Sequence, residues 1–132
     1  MRLSTLMAIK AIIVSFFGIG FVLIPEAVMS LYGVGLNPGG VYMTRLFGAA
    51  FILLGILLWS ARKDPGSQAL RAIVLGVFIG DVIGFIASLL GQLSGVLNAL
   101  GWSVVALYLL LALGFGYFQF AKASPSTQPS AA

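Results

Sequence analysis

The chain has 132 residues, 61% of them hydrophobic and 8% charged, and seven Lys/Arg against three Asp/Glu give a net charge of +4. A soluble domain of this size carries about 25% charged residues, so the composition excludes an ordinary soluble globule and reads as one small integral membrane bundle. Neither cysteine nor histidine is present, which excludes disulfides, thiolate chemistry, histidine-ligated haem and the usual zinc sites. The basic residues are dispersed without an aromatic-basic patch, so no nucleic-acid partner is expected.

Four apolar stretches predict an all-α fold, a four-transmembrane-helix bundle forming a single domain over residues 1–122. Each approaches the ~20 residues that a helix needs to cross a ~30 Å hydrocarbon layer. Lipid offers backbone groups no hydrogen-bond partner, so helices or closed barrels are the available solutions, and the alternating polarity of barrel strands is absent. The first span is placed at about 6–24. Lys10 interrupts it, leaving AIIVSFFGIGFVLI before Pro25. Arg2 and Lys10 ahead of that run also fit a secretory signal. However, PEAVMS offers no clean small-x-small cleavage site, and Lys10 can snorkel toward the headgroups. The span is therefore read as retained, beginning near Leu6.

The loop EAVMSLYGVGLNPGG follows, with Glu26 at the outer end of the first span. Its apolar piece is expected to lie along the interface as a short segment between helices 1 and 2, closed by the turn signal NPGG. The second span, about 41–60, holds Arg45, Gly48 and Gly55, and the tight polar turn ARKDPGSQ leads to the third, about 69–90.

In the third span Ala72, Gly76, Gly80, Gly84 and Ser88 recur every four residues and form one strip of small side chains. Close van der Waals approach across small residues drives helix association in lipid, so the strip is expected to be a packing seam. Its partner is either a helix of the same chain, which the short loops favour, or a second copy. Asp81 falls near mid-span, where an ionised carboxylate costs ~2.5–3.5 kcal/mol on insertion scales. Such a group is expected to face the bundle interior and find a partner. Arg45 is the expected partner, its backbone differing in depth by ~9 Å at 1.5 Å per residue. Glu26 is the rival acid for Arg45, and a shared Glu26–Arg45–Asp81 cluster is the third arrangement. The fourth span covers about 99–121, with Gln92, Asn98 and Gln119 read as end-of-helix or interface groups. The tail ASPSTQPSAA, 123–132, has no apolar face to bury and is expected to be disordered.

Charge placement sets orientation. Arg2, Lys10, Arg62, Lys63, Arg71 and Lys122 all fall on the side of the termini and the second loop, while the first and third loops carry no basic residue. Positive charge in short loops marks the cytoplasmic face, so the reading is a multi-pass cell-membrane protein with both termini cytoplasmic. Tyr42 and Trp102 then lie at outer span ends, and Trp59 and Tyr117 at inner ones.

The run TRLFGAAFILLGILLW, the basic turn after it, a third span with a central acid, and NALGWSVVALYLLLALGFGYF together resemble small uncharacterised bacterial four-helix membrane proteins, loosely similar to the DoxX-like group. The resemblance covers most of the chain through Gly, Leu and Arg patterning and implies a four-helix bundle. Some DoxX relatives are linked to quinol-oxidising or sulfur-oxidising complexes, but the cysteines and histidines that would serve such chemistry are missing here. Small multidrug transporters share the size and span count, but their first helix carries a membrane-embedded glutamate where this one carries Lys10.

No nucleophile–base set, metal-ligand cluster or phosphate loop is visible, so no enzyme, catalytic residue, metal or cofactor is expected. The first expectation is a non-catalytic membrane protein, an accessory subunit or a stand-alone bundle. The alternatives are a small transporter or channel using Asp81 with Arg45, and a binder of lipid, quinone or another hydrophobic small molecule. The expected partners are the lipid bilayer and a homo-oligomer or larger membrane complex.

Overall fold

The computed structural model describes residues 1–121, and local signals set its helix ends. Helix α1 spans Leu3–Leu23 and stops because a proline ring pushes the residue before it out of the α region; Ile24 sits at φ −136°, ψ 59°. Pro25 then opens the short helix α2, Pro25–Leu31, at the first-turn position where its missing N–H costs nothing. Gly33 follows at φ +78°, a conformation that a Cβ would strain. Helix α3, Pro38–Ala61, is capped by Asn37, whose side-chain oxygen accepts the Gly40 N–H at 2.7 Å. Helix α4, Gln68–Leu93, is capped by Ser67, whose hydroxyl accepts the Leu70 N–H at 3.0 Å. Helix α5, Gly101–Gly116, runs on into a π-helical turn at Tyr117–Ala121.

Four of these elements, α1, α3, α4 and α5 with its π turn, are long and apolar enough to cross a membrane. The all-helical bundle and the short segment between its first two spans are therefore as expected. Several helices run two or three residues past the expected bounds, because capping side chains and the first turn extend beyond the apolar run. Lys122 and the tail 123–132 lie outside the described residues.

The outer surface is apolar: Phe16 is 75% exposed, Leu110 65% and Ile12 61%. Water does not tolerate so continuous an apolar surface on a monomer, whereas acyl chains do. Inside, the bundle consists of two helix pairs, α1 with α3 and α4 with α5, which meet each other only lightly. Where they do meet, near the end that carries the N-terminus, Met7, Val14, Leu58, Val74, Leu111 and Phe115 form one packed core.

The tight seam lies between α1 and α3. A Cβ placed on Gly18 would sit 2.8 Å from the Gly48 carbonyl oxygen, and one on Gly48 would sit 2.7 Å from the Gly18 carbonyl. Two turns further along, Gly55 faces Ala11 and Ser15. The Ala72–Gly76–Gly80–Gly84–Ser88 strip does not form the continuous seam its spacing predicts. Ala72, Gly76 and Gly80 are exposed, and a Cβ on Gly76 or Gly80 would meet nothing within 4 Å. Gly84 alone among its glycines is closely packed, against the Tyr108 ring, and the half-buried Ser88 donates its hydroxyl to the Phe85 carbonyl at 3.1 Å. Four-residue spacing shows which residues share a face, and the fold turns Gly76 and Gly80, the middle of this one, toward a hollow.

At the far end of the bundle, α2 is fastened to the α4–α5 loop. The Asn98 N–H donates to the Tyr32 carbonyl at 2.9 Å, and its side-chain amide donates to the Leu31 carbonyl at 3.0 Å. Gln92 donates in turn to the Asn98 carbonyl at 3.1 Å. Both residues thus act as end-of-helix groups.

Candidate functional site

On α1, Met7, Ala11 and Val14 follow the spacing of one buried helix face, and Lys10 shares it. Its ammonium donates to Asp81 Oδ1 on α4. Lys10 is 4% exposed and Asp81 1%, so the two charges meet out of contact with solvent and cancel. The Phe115 ring centroid lies 5.7 Å from Lys10 Nζ and adds a cation–π contact. Asp81 Oδ2 is buried and has no hydrogen-bond partner among the described residues.

Asp81 is thus buried as a mid-span acid requires, but with a different partner from the one expected. Lys10 does not snorkel to the headgroups. Arg45 and Glu26 are both exposed, and among the described residues neither forms an ion pair with Asp81 or with the other. The physical reason is reach. Arg45 lies about 10 Å along α3 from its start at 1.5 Å per residue, close enough for its long stem to carry the guanidinium to the headgroup layer. Lys10 has no such route, because Met7 and Phe115 are fully buried beside it.

Above this pair the two helix pairs part around a cavity of about 1180 Å³. Its α1–α3 wall carries an aromatic cluster. The Phe21 and Phe47 rings lie 5.7 Å apart and those of Phe47 and Phe51 4.3 Å. Gly76, Gly80 and Tyr108 supply the opposite wall, Met29, Tyr32 and Leu97 close the α2 end, and Thr44 and Ser103 add hydroxyls. Burial lifts the Tyr32 phenol above its ordinary pKa, so it stays a neutral donor. Met43 is 62% exposed and Phe47 47%; both line the cavity, as do the exposed Gly76 and Gly80. The mouth therefore opens sideways between α3 and α4, through the apolar surface.

The sequence reading missed Lys10, Tyr108 and the phenylalanine cluster. The 7–10–11–14 spacing places Lys10 with Met7, Ala11 and Val14 on one face of α1, but Ile9, Ile12 and Phe16 make the exposed side at least as apolar, so spacing alone does not mark that face as the inward one.

Fold and site together define a multi-pass helical membrane protein with an internal cavity whose only charged lining groups, among the described residues, neutralise each other. The chain matches no known family model, no curated protein and no solved structure.

Proposed function

We propose that this is a non-catalytic membrane protein that binds a lipophilic molecule between its two helix pairs. The observation that carries the reading is the cavity. Ligand pockets run to about 300–1,000 Å³ and are mostly apolar with a few placed polar groups; this one is at least as large, is walled by aromatic rings and opens toward acyl chains. The packed core at the N-terminal end, with Met7, Leu58 and Phe115 fully buried, favours a closed-ended binding site over a channel. Kinship with the DoxX-like group is proposed at the level of the four-helix bundle alone.

Full-length protein extracted with native lipid is expected to carry a lipophile through mild purification, detected by mass spectrometry. Gly80→Leu, which places a side chain in the open space of the cavity wall, should remove that molecule while the unfolding temperature stays within a few degrees of wild type. A wild-type protein that carries nothing would defeat the reading.

We further propose a cell-membrane location with both termini cytoplasmic, on the strength of Arg2, Arg62, Lys63 and Arg71 at one end of the bundle. Trp59 supports that end as an interface. The Arg62 guanidinium lies 3.7 Å from the Trp59 ring centroid and donates to its carbonyl at 2.7 Å, the arrangement of a helix end anchored at headgroup level. Reporter fusions at the two termini should both read cytoplasmic, and opposite readings would overturn the topology.

A further inference from the structure

The floor of the cavity constrains what can bind there. An apolar wall accepts any tail, but the floor holds a carboxylate with one oxygen bonded to Lys10 and the other without a partner among the described residues. A buried acceptor left unmatched costs about 1–3 kcal/mol, and more when it belongs to a charged group. Asp81 lines the cavity, and so does Tyr108. The site therefore offers an acceptor at its floor and a phenol in its wall, next to a charge already neutralised.

We infer that the occupant is a neutral lipophile whose head carries a hydroxyl, donating to Asp81 at the cavity floor while its tail leaves between α3 and α4. This rests on the cavity being a ligand site. Charge balance selects the head. Lys10 and Asp81 sum to zero, so a carboxylate or ammonium head would bring an unmatched charge into an apolar chamber, at the cost that isolated charges incur there. A head without a donor, such as an ether, would leave the Asp81 oxygen unmatched. A hydroxyl satisfies the acceptor and adds no net charge. The sideways mouth matches the tail: a molecule entering from the bilayer need not leave hydrocarbon, and the α2 end is closed by Met29, Tyr32 and Leu97, held by the Asn98 hydrogen bonds.

The test is competition on the full-length protein in detergent micelles, read by native mass spectrometry, with 1-hexadecanol against hexadecyl methyl ether at equal concentration. These probes share a tail and differ at the donor. The alcohol should occupy the wild-type protein at least about tenfold more than the ether, which is about 1.4 kcal/mol. It should also outcompete palmitate and hexadecylamine. Replacing the pair together, Lys10→Met with Asp81→Leu, should bring the alcohol-to-ether ratio to about one. Equal binding of alcohol and ether to wild type, preference for either charged probe, or a ratio unchanged in the double variant would overturn the inference and leave the cavity a general lipophile site. Binding of none of the four would defeat the cavity reading as well. The wild-type comparison needs no variant, so poor folding of the double variant does not shield the inference. A hydroxyl from a membrane lipid and one from a free long-chain alcohol share this chemistry, and a diacylglycerol added as a fifth probe separates the two sources.

Discussion

Lys10→Ala and Asp81→Ala should each destabilise the folded chain by about 3–5 kcal/mol, the cost of leaving one buried charge without its partner. Replacing both, Lys10→Met with Asp81→Leu, should return most of that loss, because apolar groups of similar volume remove the desolvation penalty along with the attraction. The expectation follows from position. The helix pairs α1–α3 and α4–α5 touch lightly, and the Lys10–Asp81 contact crosses from one to the other at the floor of the cavity. Unfolding of purified protein in mixed micelles, titrated with a denaturing detergent, measures all three variants on one scale. The double-mutant cycle should show strong coupling. Arg45→Ala and Glu26→Ala, at exposed positions, should each stay within about 0.5 kcal/mol of wild type. If Arg45→Ala cost as much as Lys10→Ala, the assignment of the pair would be wrong.

How far the sequence alone led can be judged at Asp81. That a carboxylate at mid-span turns inward follows from solvation physics alone, and it is 1% exposed. The choice of partner was not legible, because it depends on how the helices are arranged around the bundle, and hydropathy carries no azimuth between helices. Connectivity made Arg45, on the span that leads directly into the third, look nearer than Lys10. In the fold α3 packs on α1 instead, which leaves Arg45 exposed and brings Lys10 to face α4. The length of the first span contributed as well. A start near Leu6 puts Lys10 close to the interface; the actual start at Leu3 carries it about 4.5 Å deeper at 1.5 Å per residue. The end of the first helix was legible where Pro25 marks it, whereas the starts that Asn37 and Ser67 cap lie three residues and one residue ahead of the apolar runs at 41 and 69 that placed them. The cavity was not legible, since a void is a property of two surfaces that fail to meet, and each of its walls reads in sequence as ordinary apolar helix.

The glycines show the same distinction and give the second large expected effect. Gly18→Ala and Gly48→Ala should each destabilise the bundle by about 1–3 kcal/mol, the range for overpacking a filled interior, and leucine at either position should cost more. The reason is contact with backbone. The added Cβ at 18 meets the Gly48 carbonyl at 2.8 Å and the Phe51 Cβ and Ile52 Cγ1 at 3.0 Å; the one at 48 meets the Gly18 carbonyl at 2.7 Å and the Phe21 Cβ at 2.8 Å. Carbonyl groups held in a helix cannot rotate away as a side-chain tip can, so α1 and α3 must separate. Gly76→Ala and Gly80→Ala are the matched contrast, since nothing lies within 4 Å of either added carbon. They should be neutral or stabilising by up to about 1 kcal/mol, the helix propensity that glycine forgoes relative to alanine. The four-residue repeat on α4 would by spacing alone be the sensitive set, and Gly48 and Gly55, seven residues apart, the tolerant one. The same detergent-unfolding assay decides: a larger loss at 76 and 80 than at 18 and 48 would move the seam to α4 and remove the hollow that the glycines of α4 line.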